Sequence, residues 1–352
     1  MKSYFRPEID AIAGYVPGEQ PKMADLIKLN TNENPYPPSP EVAEVLKNFD
    51  IARLRRYPDP TADALRDLLA ADLGMKRENL IAGNGSDDLL TMVFRAFTAP
   101  DRPVAVFEPS YSLYPVLAAM QGAPVYRIAL TGKEFSYPAD AVEQAKDANL
   151  LILTRPNAPT GNCAPREAVR RYCAEFDGIV LIDEAYVDFA ADHCADFAKE
   201  FPNVLVMRTF SKGSSMAGVR LGYAFGHPTL IAGLMKLKDS YNLDTISQEV
   251  AKANYADKSH RADCVARIVA ERERLTRELR LRGFAVVPSQ ANFVFAVPPD
   301  GDGAGCFAFL REHAVVVRYF PGEVTGRGLR ITVGTPAEND RLLEVLTRKY
   351  PC

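Results

Sequence analysis

The chain has 352 residues, a formal net charge of -3 and 25% charged residues, with acids and bases mixed along its length. That balance excludes the clustered Lys and Arg of a polyanion-binding surface, so no nucleic-acid partner is expected. No run approaches the roughly 20 apolar residues of a membrane helix, and no membrane partner is expected either.

A single hydrophobic core stops growing at roughly 250 to 300 residues, so two unequal bodies are expected. Residues 1–28 carry Pro7, Gly14, Pro17, Gly18 and Pro21 and read as an extended arm laid over something else. The first fifteen residues contain no apolar leader segment, which gives the expectation of a cytoplasmic protein. From 29 to 240, short apolar runs alternate with amphipathic stretches: "NLIAG", "SDDLLTMVFRAFT", "VAVFEP", a helix from Tyr111, "PVYRIAL", "LLILTRP", a helix after Pro165, "GIVLIDEAY" and "VLVMRTF". Such alternation predicts an α/β domain whose mainly parallel sheet is covered by helices on both faces. From 241 to 352 a long charged helix, "RIVAERERLTRELRLRG", is followed by "FAVVPS", "NFVFAV", "AVVVRYF" and "GLRITVG", which predicts a smaller α+β domain with an antiparallel sheet. The six cysteines, Cys352 among them, show no CxxC pair and no Cys/His ligand spacing, so no metal is expected and the thiols read as reduced.

Ligands of open α/β sheets gather beyond the carboxyl ends of the strands. After "NLIAG" comes "NGSDD", where Gly85, Ser86 and Asp87 start a helix and present N–H groups to an anion, or simply cap it. A dinucleotide fingerprint fails here because Asp88 stands where its third glycine belongs. After "GIVLI" comes Asp183, a carboxylate that calls for a buried cation such as a protonated heterocyclic nitrogen, or that caps a loop. After "VLVMRT" come Ser211, Lys212 and Arg220. Lys212 alone reads equally as a solvated loop lysine or as an amine tuned to attack a carbonyl. Taken in this order, a lysine for a Schiff base, a carboxylate for a pyridinium nitrogen and a helix start with Ser211 and Arg220 for a phosphate describe a pyridoxal 5'-phosphate site.

The motifs "GYVPGEQP", "LNTNENPYPPSP", "RYPDP", "GNGSDD", "PNAPTG", "IDEAYVDF", "RTFSKGSSMAGVRLGY", "SYNLDTISQ", "NFVF" and "LRITVGT" span nearly the whole chain. Through them the sequence resembles the fold-type I pyridoxal-phosphate-dependent aminotransferases, and within these the branch that acts on a phosphorylated amine, histidinol phosphate, with glutamate and 2-oxoglutarate as the second pair. The resemblance implies a large domain with a mainly parallel seven-stranded sheet, a small α+β C-terminal domain, an N-terminal arm and a homodimer with shared active sites. It implies that Lys212 is the Schiff-base lysine, that Asp183 pairs with the ring nitrogen, that Tyr186 donates to the ring hydroxyl oxygen and that Tyr111 stacks on the ring. Gly85, Ser86, Asp87, Ser211 and Arg220 would hold the phosphate together with Tyr57 of the partner subunit. Tyr15, Asn34, Asn242, Arg318 and Arg330 would line the substrate pocket. One position departs: the family's asparagine before "PTG" is Ala158 here, with Asn157 one place earlier. Either Asn157 reaches the ring oxygen, or Tyr186 and a water serve it. An aromatic amino-acid aminotransferase, a threonine-phosphate decarboxylase and a silent cofactor-binding regulator are the competing readings.

Overall fold

Apolar runs of the first body such as "LIAG" and "LLILT" are buried along their whole length, because the strands they form have helices on both faces. The computed structural model describes residues 2–22 and 25–351; Cys352 lies outside them. The strands are, in chain order, β1 (Ile27–Lys28), β2 (Leu80–Gly83), β3 (Val104–Glu108), β4 (Val125–Ala129), β5 (Leu150–Thr154), β6 (Ile179–Asp183), β7 (Val204–Thr209), β8 (Gly222–Gly226), β9 (Ala285–Val286), β10 (Phe293–Val297), β11 (Val315–Val316), β12 (Arg318–Tyr319) and β13 (Leu329–Thr332).

The central sheet has seven strands in the order β2-β8-β7-β6-β5-β3-β4. Its pairs are parallel from β7 across to β4, while β8 runs antiparallel to both β2 and β7. The parallel strands β5, β6 and β7 therefore end on one edge, and Thr154, Asp183 and Thr209 are their last residues. The helix Ser86–Phe97 starts at the same edge, after β2, with Leu89, Leu90, Val93 and Phe94 buried.

In the second body β12-β13-β10-β9 form an antiparallel sheet, and β1 from the arm pairs in parallel with β11. The helix Lys258–Leu281 and the helix Pro336–Lys349 cover it, the second opened by a capping box between Thr335 and Glu338. Packing crosses the sequence division near residue 240. Val250, Ala251 and Tyr255, on the helix Thr245–Ala256, share a core with Ala62, Leu65 and Leu69 of the first body, whereas Leu29 lies in the core of the second. The arm holds a short helix, Pro7–Ala11, and then runs along the second body. There Arg318 donates to the carbonyls of Val16 and Pro17, and Asn30 donates to that of Glu19. Among the described residues no helix is long and apolar enough to cross a membrane, and no group of His, Cys, Asp and Glu could hold a metal.

Candidate active site

At the carboxyl edge of the central sheet a cleft of about 260 Å³ opens between the arm, the first body and β12 and β13 of the second. Eleven residues singled out from the sequence line it: Tyr15, Ser86, Asp87, Tyr111, Asp183, Tyr186, Ser211, Lys212, Arg220, Arg318 and Arg330.

Lys212 follows β7 on a short segment, and its Nζ donates to the carbonyl of Thr31 at 2.9 Å. No carboxylate pairs with it among the described residues. Burial lowers its pKa to about 7, reinforced by the guanidiniums of Arg330 and Arg220 and opposed by Glu33 and Asp87. An amine in this setting is substantially neutral near pH 7, the form that attacks a carbonyl.

Asp183, at the end of β6, is 4% exposed. Its Oδ2 accepts the Tyr114 hydroxyl at 2.7 Å and its Oδ1 accepts the Ala185 N–H at 3.0 Å. Burial raises its pKa to about 6, against the lowering effect of those two bonds, and no cation pairs with it among the described residues. Thus the cleft contains a carboxylate short of a cation and a lysine short of an anion.

The start of the helix Ser86–Phe97 is built for close approach. Gly85, just before it, adopts φ +85° and ψ 168°, a combination essentially reserved for glycine. A Cβ on Gly222 of β8 would sit 2.8 Å from the Ser86 nitrogen, so the strand can run directly behind the helix start. The first N–H groups of a helix have no intrahelical acceptor, which makes this end an anion cradle. Ser211 is buried and lines the same cleft as Ser86 and Asp87. Arg220 reaches back to Asp87, whose Oδ2 lies 3.5 Å from Nη2. The Asp87 carboxylate is thereby engaged with Arg220 and with the Tyr111 hydroxyl at 3.3 Å, leaving its backbone N–H as the group that faces an anion.

Opposite, Tyr111 meets Tyr15 edge-on with ring centroids 5.7 Å apart. Tyr186 packs edge-on against Phe293 at 5.0 Å, and its oxygen accepts from Asn32 Nδ2 at 3.0 Å, which leaves its own proton free to be donated. Arg318 and Arg330 are direct cross-strand partners on β12 and β13. Like charges set opposite each other repel. Burial and Arg318 both lower the Arg330 pKa, its buried Nε has no acceptor, and neither arginine has a carboxylate partner among the described residues. Such a pair is stabilised by an anion brought in from outside.

Five other expected residues lie outside the cleft lining. Gly85 stands just before the helix, and its N–H donates to the carbonyl of Gly83 at 2.8 Å. Asn157 turns away: its Nδ2 donates to the carbonyl of Pro109 at 2.8 Å and to Thr160 Oγ1 at 2.6 Å, its buried Oδ1 has no partner among the described residues, and Ala158 lines the cleft instead. Asn34 donates to the carbonyls of Lys212 and Gly213 at 3.1 and 3.5 Å and so clamps the lysine segment. Asn242 donates to the carbonyl of Ala82 and to Asp88 Oδ2, tying down the connection after β2. Tyr57 is 80% exposed and stacks on Tyr241 with centroids 4.3 Å apart. The sequence reading missed Asn32, Thr31, Thr154 and Tyr114. Of these only Tyr114 carried a signal, three residues after Tyr111 and so one turn on in a helix expected from Tyr111; the helix starts at Leu113, and the two rings meet edge-on at 5.5 Å.

The residues present fit pyridoxal phosphate in charge and in shape: an anion cradle, a carboxylate lacking a cation and a lysine held without an acid. The family model described as aminotransferase class I and II matches residues 24–346. Histidinol-phosphate aminotransferase 1 of Trichormus variabilis is 42% identical over 347 residues, covering 98% of this chain and 99% of that protein. Histidinol-phosphate aminotransferase of Acetobacter pasteurianus is 42% identical over 350 residues, covering 98% of each. Among solved structures, that of histidinol-phosphate aminotransferase from Sinorhizobium meliloti in complex with pyridoxal-5'-phosphate superposes with a TM-score of 0.89, at 24% identity and 99% coverage of both chains, which shows the shared fold. With a match that runs through both bodies and the cleft between them, the chain belongs to the aminotransferase class I and II family.

Proposed function

We propose that this protein is a pyridoxal-phosphate-dependent aminotransferase that exchanges an amino group between L-histidinol phosphate with 2-oxoglutarate and imidazole-acetol phosphate with L-glutamate, a step of histidine biosynthesis. The observation that carries the reading is the 42% identity, over 98% of the chain, to proteins of that activity. The cross-strand Arg318–Arg330 pair, which donates to backbone carbonyls and has no carboxylate partner among the described residues, gives it a physical basis.

Bound pyridoxal phosphate would supply a reactive aldehyde and an electron-withdrawing ring. Lys212 would join the cofactor through Nζ and, once released by the incoming amine, move the proton of the substrate carbon as a base of suitable pKa. Asp183 would keep the ring nitrogen protonated, Tyr186 would donate to the ring oxygen, and Tyr111 would restrain the ring plane. Asn157 has no part at the ring oxygen in this geometry, because its amide is spent on Pro109 and Thr160. The Ser86 and Asp87 N–H groups, Ser211 and Arg220 would hold the cofactor phosphate. Two copies would form a homodimer in which Tyr57 of the partner subunit completes that phosphate site.

Arg330, with Arg318 and Tyr15, would bind the phosphate of the substrate, which offers a guanidinium more charge than a carboxylate does. A charge-assisted hydrogen bond is worth about 1.5 to 3 kcal/mol. Arg330→Ala should therefore lower kcat/KM for histidinol phosphate by roughly 10- to 150-fold, and by much less for dephosphorylated histidinol. Equal losses for the two amines would mean that Arg330 does not read the phosphate.

A further inference from the structure

The inner side of Asp183 is held by a chain of hydroxyls that none of the roles above uses. Tyr114 donates to Asp183 Oδ2 at 2.7 Å, Thr154 Oγ1 lies 2.8 Å from the Tyr114 oxygen, and Ser110 Oγ lies 3.1 Å from Thr154 Oγ1. Each hydroxyl carries one proton, and an ionised carboxylate only accepts. The Tyr114 proton is therefore committed to Asp183. Thr154 must then donate to Tyr114, and Ser110 must donate to Thr154. The chain runs one way, from Ser110 at the cleft wall to the carboxylate, through Thr154 and Tyr114, which are 3% and 1% exposed.

Every other group facing Asp183 is either weaker or adverse. Burial opposes its charge most, and the carboxylates of Asp87, from the helix Ser86–Phe97, and of Glu184, next in the chain, oppose it too. The Ala185 N–H supports it from the backbone. Tyr114 is the only side chain that donates to it among the described residues.

We propose that Tyr114, ordered by Thr154 and Ser110, is a positioning residue that keeps Asp183 ionised and aimed at the ring nitrogen of the cofactor. This rests on the pyridoxal phosphate reading above. Without the Tyr114 hydroxyl the carboxylate is harder to ionise, so it protonates more readily and the ring nitrogen loses its proton more easily.

The test is the 15N chemical shift of ring-labelled pyridoxal phosphate bound to the wild-type protein, Tyr114→Phe and Thr154→Val, titrated from about pH 6 to about pH 9. In the wild type the nitrogen stays protonated throughout. In Tyr114→Phe its midpoint falls by about one to two pH units, the equivalent of one hydrogen bond to a charged group. Its kcat falls about tenfold or more while KM for the amine stays near the wild-type value. Thr154→Val, which keeps Tyr114 in place, moves both readouts in the same direction by less, and it decides the matter if Tyr114→Phe does not fold. Wild-type 15N titrations in both variants would overturn the inference. A wild-type protein that takes up no pyridoxal phosphate would overturn the cofactor reading itself, and the inference with it.

Discussion

Burial displaces the pKa values of Asp183 and Lys212 in opposite directions. The Asp183 pKa stands at about 6 against an ordinary 3.8 because burial disfavours its anion. Below pH 3.8 the folded and unfolded chains both carry that proton, and the site costs nothing. Between 3.8 and about 6 the folded chain binds the extra proton, so stability falls as pH rises, and above about 6 the full cost remains, at most about 3 kcal/mol. Asp183→Asn should therefore raise the melting temperature of the cofactor-free protein by roughly 2 to 4 °C near pH 8, while leaving it almost unchanged at pH 4. The same variant should weaken cofactor binding. A melting temperature that drops at both pH values would show that the carboxylate stabilises the empty fold. Lys212, Asp183 and Arg220 were legible in the sequence because each follows a strand that can be read from its apolar run. The three asparagines were not. Asn34, Asn157 and Asn242 differ only in which way a short amide points, and the carbonyls that capture them, those of Lys212, Pro109 and Ala82, are brought near by the fold.

The helix Ser86–Phe97 has N–H groups without an intrahelical acceptor in its first turn, and the glycine before it shapes the approach to them. A Cβ at Gly85 would meet Arg220 Nη2 at 2.8 Å and would also have to adopt a backbone conformation costing roughly 1 to 3 kcal/mol. Gly85→Ala should weaken pyridoxal phosphate binding by about tenfold or more, as read by equilibrium dialysis, whereas Gly218→Ala, whose added carbon meets nothing within 4 Å, should bind normally. Equal affinities for the two variants would remove the helix start from the phosphate site. The run "NLIAG" followed by a serine and two acids made this strand and helix readable in advance. Strand β8, "GYAFG", was not anticipated, because glycine at both ends hides a strand whose every residue is buried. The two-residue β1 has no sequence pattern at all and exists through its pairing with β11. The place of the helix Thr245–Ala256 against the first body is likewise set by packing partners distant in sequence.

In the whole molecule the two bodies share the cleft, and of the five expected residues outside its lining Tyr57 is the one expected to act from a partner subunit. Tyr57, Ile51 and Leu54, close together in sequence, are 80%, 76% and 52% exposed, apolar side chains that the proposed homodimer would cover. Mixing Lys212→Ala subunits with Tyr57→Phe subunits should give hybrids with one intact site and regain activity that neither variant has alone at the same concentration. Failure to regain any activity on mixing, or a fully active monomer in sedimentation, would remove Tyr57 from a shared site. Length and the change of pattern after the lysine segment gave the expectation of two bodies, whereas the cleft depends on β1 and the arm crossing to the second body. The proposed activity is tested most directly by turnover with 2-oxoglutarate, comparing L-histidinol phosphate, phenylalanine and phosphothreonine as amine substrates and following glutamate and carbon dioxide. It predicts glutamate formation with histidinol phosphate at a kcat/KM well above that for phenylalanine, with no carbon dioxide from phosphothreonine. A preference for phenylalanine, or carbon dioxide released from phosphothreonine, would contradict it.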